Sequence, residues 1–303
     1  MNATVYVNGA ISAAAAAAVP VFDHGFLYGE GVYETLRTYR GVPFLFDRHM
    51  QRLRRSAALM ALAVPHTDQD LMDAVQRTMA AHAGLDEAYI RMLLTRGVGD
   101  LSYHPAACPR PSLVIIVKPF PAPPERTFTA GIRVSLVGVR RNHPLALNPE
   151  IKSNNLLNNA LAMQEAIGRG AEEALMLNQA GEIAECSQSN VFVVRKGTVL
   201  TPPLAAGLLP GITREFVLEL AKASGYQARE AALRPSDLQT TTEAFITGTT
   251  REVTPVVAVD DLVIGGGVPG PVTRNLLARF RERALAIVAG QTPVAARSSV
   301  GGR

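Results

Sequence analysis

A single lysine, Lys152, stands in a stretch of small, amide and aliphatic residues that covers positions 151–162. Pro149 ends an extended approach to it, and a helical pattern follows as far as Gly168. A poorly hydrated lysine amine at such a junction can act as a nucleophile and form a Schiff base. The stretch alone also fits an ordinary solvated lysine beside a helix start. Its chemistry therefore depends on the residues that accompany it.

Two clusters of glycine and hydroxyl residues have the composition of anion sites. The run Gly211 to Arg214 opens a predicted helix, where backbone N–H groups, the helix dipole and a threonine hydroxyl favour a phosphate. The run Thr247 to Thr250 follows a predicted strand and offers similar donors. Arg52, on a predicted helix, would supply the balancing charge. Each cluster also fits an ordinary turn, so the phosphate site rests on three weak signals together.

Glu185 precedes small polar residues and then a predicted strand that begins at Val191. A buried carboxylate needs a partner, or its pKa rises. The ring nitrogen of a pyridinium cofactor would be such a partner, and the ion pair would make the ring a stronger electron sink. A hairpin with Glu185 exposed to solvent is the alternative.

Short strands mix with helices in an irregular order, which predicts an α+β fold and argues against a doubly wound sheet. Strands are predicted at 4–7, 32–39, 89–95, 113–117, 132–139, 174–178, 191–194, 244–247 and 256–259, and helices at 47–62, 68–82, after 152, from 211 and from 272. Four prolines between Pro119 and Pro124 mark a linker. The predicted organisation is a small domain at 1–118, a linker at 119–131, a large domain at 132–290 and a flexible tail at 291–303.

Composition excludes several classes of function. The chain has 303 residues and a net charge of +4, and its basic residues are scattered apart from the Arg48 to Arg55 cluster and the Arg140-Arg141 pair, so nucleic acid is not an expected partner. No run of about 18 apolar residues predicts a membrane span. Cys108 and Cys186 lie outside any metal-ligand spacing, which predicts a reducing, cytoplasmic setting and no metal site. No function is assigned to His104, Cys108 or the Arg140-Arg141 pair.

Taken in order, these segments resemble the class IV pyridoxal-phosphate aminotransferases, a family that includes branched-chain and D-amino-acid aminotransferases and aminodeoxychorismate lyase. The matching stretches cover roughly residues 4–285 and comprise Asp23 to Glu34, His49-x-x-Arg52-Leu53, Lys152 with Asn155 and Leu161-Ala162, Glu185 with Asn190-Val191-Phe192, Gly211 to Arg214, and Gly248 to Glu252. A collinear set of this kind is highly specific.

The resemblance implies a two-domain fold type IV enzyme, with a small N-terminal α/β sandwich domain, a larger C-terminal pseudo-barrel domain and pyridoxal 5′-phosphate between them. Lys152 would form the aldimine and then serve as acid and base of a 1,3-proton shift, while Glu185 would pair with the pyridine nitrogen. The resemblance places six further residues at the cofactor: Arg52, Leu209, Ile212, Thr213, Thr249 and Thr250. It also implies a homodimer or an assembly of dimers.

The substrate is less clearly defined by the resemblance. Leu156 stands where branched-chain enzymes usually have a tyrosine, and the spacing is closer to that of the D-amino-acid enzymes. The Arg-x-His carboxylate trap of those D-enzymes is, however, missing from the loop 98–104.

Tyr89, Arg91 and Arg37 look like the branched-chain pattern, and Tyr33 would face the substrate. Tyr89 and Arg91 point to one face of a strand, so both could reach a substrate carboxylate, unless Arg91 is a structural arginine paired with an acid. The preferred interpretation is a transaminase for an aliphatic, branched-chain-type amino acid with 2-oxoglutarate as acceptor. The alternatives are a D-amino-acid or (R)-amine transaminase, a lyase, and a cofactor-binding carrier without turnover.

Overall fold

The computed structural model describes residues 2–291 and divides into two compact units. The first unit contains the chain up to Pro121, the segment Ile151–Asn155 and the end of the last helix from Ala284. The second contains Ala122–Glu150 and Leu156–Arg283. Lys152 therefore belongs to the first unit, although the chain on either side of its segment belongs to the second. The tail predicted to be flexible lies, beyond residue 291, outside the described residues.

The first unit is built on one antiparallel sheet. Its strands are β1 (Thr4–Val7), β2 (Ala10–Ala13), β3 (Gly31–Tyr39), β4 (Val42–Pro43), β5 (Ala88–Thr95) and β6 (Ser112–Pro119), in the order β2-β1-β6-β5-β3-β4. Its helices are α1 (His24–Leu27), α2 (Phe46–Leu59) and α3 (Asp68–Ala80).

Alternation along the strands explains how this sheet packs. On β3, Val32 and Leu36 are fully buried in a core that also contains Leu53 of α2 and Leu71 of α3. The intervening residues, such as Tyr33, lie half-buried on the opposite face. One face of the sheet therefore packs against the helices, and the side chains on the other face stay partly exposed.

The helix starts differ in how they are capped. Helix α3 begins with a capping box between Thr67 and Asp70, and both side chains satisfy backbone donors. Helix α2 begins one residue before the predicted start at 47, after Leu45 in a left-handed conformation and without a side-chain cap. Asp47 lies in the first turn, where its charge favours the helix dipole.

The second unit contains a mixed sheet and four helices. The strands are β7 (Ile132–Leu136), β8 (Glu173–Leu177), β9 (Ile183–Cys186), β10 (Asn190–Arg195), β11 (Thr198–Thr201), β12 (Ala228–Glu230), β13 (Glu243–Gly248), β14 (Glu252–Val259) and β15 (Leu262–Val263). The helices are α4 (Arg126–Thr129), α5 (Leu157–Gly168), α6 (Ile212–Ala223) and α7 (Pro271–Val288), the last of which ends in the first unit.

The sheet order is β12-β11-β10-β13-β14-β7-β8-β9, with β15 paired to β14. The neighbours β7 and β8 are parallel, so the chain between them must cross over, and the Lys152 segment and α5 lie in that crossover. The predicted α+β class is confirmed. Within residues 2–291, no helix combines the length and the apolar character needed to cross a bilayer.

Candidate active site

Backbone hydrogen bonds attach the Lys152 segment to β3. The N–H of Tyr33 donates to the carbonyl of Lys152 at 2.9 Å, and the N–H of Lys152 donates to the Ser56 hydroxyl of α2 at 3.1 Å. Ser56 is fully buried, so its hydroxyl offers a fixed acceptor. Both main-chain polar groups of Lys152 are thereby held, and the start of its side chain has a defined position.

Gly31, at the beginning of β3, makes this attachment sterically possible. Its carbonyl accepts from the N–H of Asn154 at 2.9 Å. A Cβ at position 31 would collide with the Asn154 side chain and press on the Leu94 carbonyl. The glycine is therefore required by the close approach of two backbones.

Two cations contact the aromatic ring of Tyr33. The Lys152 Nζ lies 3.5 Å from the Tyr33 hydroxyl and 4.5 Å from the centre of its ring. The Arg91 Cζ lies 4.0 Å from the same centre, because Arg91 on β5 is a diagonal neighbour of Tyr33 across the β3–β5 pair. Burial raises the pKa of the Tyr33 phenol, but the charges of Lys152 and Arg91 outweigh it and leave that pKa below its ordinary value.

The other two residues predicted to bind substrate lie farther along the same face. Arg37 and Tyr89 stand opposite each other in the β3–β5 register. The Arg37 Cζ stacks 4.1 Å from the Tyr39 ring centre and 3.8 Å from that of Phe120, while Lys118 lies 5.0 Å from the Tyr89 ring centre. The structure thus groups Tyr33 and Arg91 with Lys152, and places Arg37 and Tyr89 in a neighbouring aromatic and cationic cluster.

Arg52 is buried on α2 and bound to Glu34, a residue without an assigned role in the sequence analysis. Its Nε and Nη2 donate to the two Glu34 carboxylate oxygens at 2.8 and 2.7 Å, and the His49 Nδ1 lies 2.6 Å from that carboxylate. Glu34 is fully buried, which raises its pKa, but Arg52 and His49 outweigh burial and lower that pKa to about 2. Burial lowers the pKa of His49. Glu34 therefore fixes the guanidinium that was predicted to bind phosphate.

Acidification is expected to destabilise the protein through this cluster. Glu34 and His49 both have a lower pKa in the folded state than in the unfolded chain, so the folded state binds fewer protons and stability falls as pH falls. Protonation of His49 begins to lower the free energy of unfolding below about pH 6.5. Protonation of Glu34 lowers it by about 3 kcal/mol between about pH 4.5 and 2.

Urea unfolding of the wild type and of Glu34→Gln, measured between pH 7 and 3 by circular dichroism, tests this expectation. The variant should be less stable at neutral pH because the Arg52 charge loses its partner. It should also lack the acid-dependent step below about pH 4.5. Parallel losses of stability in both proteins below that pH would contradict the assignment to Glu34.

Glu185 occupies the end of β9 and is 4% exposed. The Nε of Arg141 donates to one of its carboxylate oxygens at 2.7 Å. The other oxygen accepts from the N–H of Leu209 at 3.0 Å and from the amide of Asn190 at 3.3 Å. Charged and neutral donors around a buried carboxylate favour its charged form. The exposed-hairpin alternative is therefore wrong, and Glu185 has the setting expected of an acid that pairs with a ring nitrogen.

Arg141 is a functional candidate that the sequence analysis missed. It is 8% exposed, and its Nη1 donates to Asn158 of α5 at 3.1 Å. The Asn158 amide in turn donates to the Arg140 carbonyl at 2.8 Å. The two adjacent arginines lie in a loop without periodicity, so no local pattern connects Arg141 with Glu185.

Asn190 connects Glu185 with the start of α6. Its amide also donates to the Leu209 carbonyl at 3.1 Å, and a Cβ at Gly211 would collide with its amide oxygen. The glycine therefore lets the helix begin beside Asn190. Ile212 and Thr213, the first two residues of α6, are 6% and 7% exposed, and their backbone N–H groups lie in the first turn at the positive end of the helix.

Thr247 adds a hydroxyl without a partner on the same side of the sheet. It stands opposite Asn190 in the β10–β13 pair, which puts both side chains on one face. Its hydroxyl is buried and, among the described residues, has no hydrogen-bond partner. Thr249 and Thr250 follow in the turn before β14 and are half-buried. An orphaned buried hydroxyl calls for a ligand, and a phosphate beside the α6 N-terminus would satisfy it.

The second unit therefore fits both ends of pyridoxal 5′-phosphate. The buried Glu185 carboxylate suits a ring nitrogen, and the α6 start with Thr247 suits a phosphate. Lys152, the residue predicted to attach the cofactor, has its amine in the first unit.

Comparison with known proteins agrees with this chemistry. Residues 31–259 match the family model described as amino-transferase class IV. The chain belongs to the class IV aminotransferases. Enzymes of this class depend on pyridoxal 5′-phosphate, so the expected cofactor is confirmed.

This class IV aminotransferase is 40% identical over 278 residues to a putative branched-chain-amino-acid aminotransferase of Methanocaldococcus jannaschii, covering 92% of this chain and 95% of the relative. It is 31% identical over 272 residues to the D-alanine aminotransferase of Bacillus licheniformis, covering 90% and 94%. The crystal structure of the Escherichia coli branched-chain amino acid aminotransferase matches with a TM-score of 0.88 at 32% identity, covering 92% of this chain and 93% of that one. The predicted fold type IV architecture is thereby confirmed.

Proposed function

We propose that this aminotransferase takes an aliphatic, branched-chain-type amino acid as donor and 2-oxoglutarate as acceptor. The observation that carries the proposal is the half-buried guanidinium of Arg91, which stacks on the Tyr33 ring that the Lys152 amine also contacts. Among the described residues no carboxylate forms an ion pair with Arg91, so its fork is available to an acidic substrate. An aliphatic side chain would leave the guanidinium stacked on the ring. The 40% identity to a protein named for branched-chain substrates supports the same donor.

We propose that Lys152 attaches the cofactor covalently through its Nζ and that Glu185 accepts the hydrogen bond of the cofactor's ring nitrogen. Arg52, Ile212, Thr213 and Thr250 are proposed to hold the phosphate, with Leu209 and Thr249 beside them. When bound, pyridoxal 5′-phosphate supplies the electron sink for the bond that breaks at the substrate α-carbon. The Lys152 amine then removes the α-proton and returns it one position along, acting as base and then as acid.

Transamination of a D-amino acid or an (R)-amine is the second candidate. The similarity to a D-alanine aminotransferase over 90% of this chain favours it. The loop 98–104 lacks the Arg-x-His pair that the D-enzymes use, which argues for the first candidate.

We further propose that the protein is a homodimer located in the cytoplasm. Six large apolar side chains are exposed on two loops of the first unit and on α1, which follows the first loop: Val21, Phe22, Phe26, Val98, Leu101 and Tyr103. The loops are joined by hydrogen bonds from His24 to Gly97 and from Gly99 to Phe22, so these side chains form one patch. A patch of this kind on a folded unit favours a protein partner, and sedimentation equilibrium tests the assembly. Two unpaired, buried cysteines support a reducing compartment.

A substrate panel tests the proposed specificity. L-leucine, D-leucine and (R)-1-phenylethylamine are each added to the holoenzyme, and the change in the cofactor spectrum is followed. We expect L-leucine to give the fastest change. A faster reaction with the D-isomer or the amine would support the second candidate.

Arg91→Ala tests the proposed amino-group acceptor, 2-oxoglutarate. We expect its kcat/KM to fall roughly 10- to 100-fold more for 2-oxoglutarate than for a monocarboxylate oxo acid, since hydrogen bonds to a charged group contribute about 1.5 to 3 kcal/mol. Arg229→Ala, an exposed arginine on the edge strand β12, is the matched control. Equal losses for both acceptors would make Arg91 a structural residue.

A further inference from the structure

The Lys152 Nζ donates a hydrogen bond to the Tyr33 hydroxyl at 3.5 Å. A tyrosine that only formed a wall of a substrate pocket would not need its hydroxyl there. We propose that Tyr33 is a catalytic residue that exchanges a proton with the Lys152 amine, with Arg91 stacked on its ring as electrostatic support. This inference rests on the proposed role of Lys152 as the cofactor-binding lysine.

The reaction gives such a partner a defined task. A lysine attacks a carbonyl carbon as the neutral amine, so a protonated Lys152 must first lose a proton. In the proposed step an N–H bond of the Lys152 ammonium breaks and an O–H bond forms on the Tyr33 phenolate. One proton moves, no electron is transferred, and an ion pair becomes a neutral pair. The reverse step returns the proton when the amine next has to donate it.

The charges around Tyr33 favour this exchange. Lys152 and Arg91 face the phenol from the attached segment and from β5, and both lower its pKa. Glu34, the next residue on β3, acts in the opposite direction, but it points to the other face and is neutralised by Arg52 and His49. Burial raises the pKa, and the two cations outweigh it. The phenolate is therefore easier to form here than in a solvated tyrosine.

The geometry of the pair is fixed by the backbone. The main chain of Tyr33 donates to the carbonyl of Lys152 at 2.9 Å, so the two side chains start from residues that are hydrogen-bonded to each other. The Arg91 guanidinium then holds the ring from one side at 4.0 Å. The separation of 3.5 Å is at the long end for a hydrogen bond, and catalytic hydrogen bonds that are long in the free enzyme tighten when the substrate complex forms.

Three variants of the full-length protein test the proposal. Tyr33→Phe keeps the ring and its cation contacts but removes the hydroxyl, and Arg91→Met removes the charge above the ring. Tyr6→Phe is the matched control, because Tyr6 is also buried in this sheet and has the Arg77 Cζ 6.0 Å from its ring centre. Circular dichroism confirms that each variant is folded.

Two measurements are made on each protein after removal of the cofactor. The first is a titration of tyrosinate absorbance, which is unobscured because the chain contains seven tyrosines and no tryptophan. The wild type should show one tyrosine that titrates below the others. That component should vanish in Tyr33→Phe, move to higher pH in Arg91→Met and persist in Tyr6→Phe.

The second measurement is the rate at which added pyridoxal 5′-phosphate becomes attached, trapped with borohydride and located by peptide mass spectrometry. We expect attachment at Lys152 to slow roughly 100-fold or more in Tyr33→Phe, the usual contribution of a positioned acid–base group. Tyr6→Phe should keep the wild-type rate. Cofactor trapped on Lys152 of Tyr33→Phe at the wild-type rate, with the same dependence of that rate on pH, would overturn this inference but not the proposed role of Lys152. Label on another residue would overturn the proposed role of Lys152, and this inference with it.

Discussion

Replacing Lys152 by alanine is expected to abolish amino-group transfer, with a loss on the order of 10⁴-fold or more. The variant would lack both the amine that attaches the cofactor and the base that moves the substrate proton. Cofactor affinity should fall less than the rate, because the donors and the carboxylate in the second unit remain. The measurement is the change in the cofactor spectrum when L-leucine is added to Lys152→Ala and to the wild type.

Lys222→Ala is the control for this experiment, since Lys222 is an exposed lysine near the end of α6. It should transfer amino groups at the wild-type rate. A Lys152→Ala protein that did the same would disprove the central assignment. An unresponsive spectrum in the wild type would indicate a carrier that binds the cofactor without turnover.

Glu185→Gln is expected to slow amino-group transfer roughly 100-fold or more. A neutral amide cannot pair with a protonated ring nitrogen, and removal of one preorganised electrostatic partner typically costs 10²- to 10³-fold. The change also leaves the Arg141 charge buried without its carboxylate, which should lower the free energy of unfolding by about 3 to 5 kcal/mol. Single-turnover rates and urea unfolding measure the two effects separately.

Glu282→Gln, on the exposed side of α7, controls for loss of a surface carboxylate. Arg141→Met is the informative partner variant, because it removes the arginine and leaves the Glu185 charge in place. It should lose stability to a similar extent. A Glu185→Gln protein with reduced stability but a wild-type rate would reduce Glu185 to the structural counter-ion of Arg141.

The long periodic elements were predictable from the sequence because their patterns are local. The alternation in β3 and the apolar stripe of α3 gave bounds within two residues of those observed. The short strands β2, β4, β9, β11, β12 and β15 were missed. Each has two to four residues and is stabilised by pairing with a neighbour, which leaves no periodic signal in the chain.

The residues of the candidate site were predicted one by one and their roles stay predictions, while their contacts could not be predicted from the sequence. Glu34 and Arg52 are 18 positions apart, and Arg141 and Glu185 are 44 apart. Such pairs form only when the sheets bring distant segments together. A buried acid in the middle of β3 could have been recognised as needing a partner. The predicted linker at 119–131 stays a prediction.

The attachment of Lys152 to β3 and α2 has a consequence for cofactor capture. The connection between β7 and β8 is long, and a free loop of that length would have to be ordered when a ligand arrives. Its middle is instead tied down by hydrogen bonds to Tyr33 and Ser56. The entropy of positioning the amine is therefore lost during folding, and the lysine is preorganised before the cofactor binds. A change as remote from the chemistry as Ser56→Ala would transfer part of that entropic cost to the binding step.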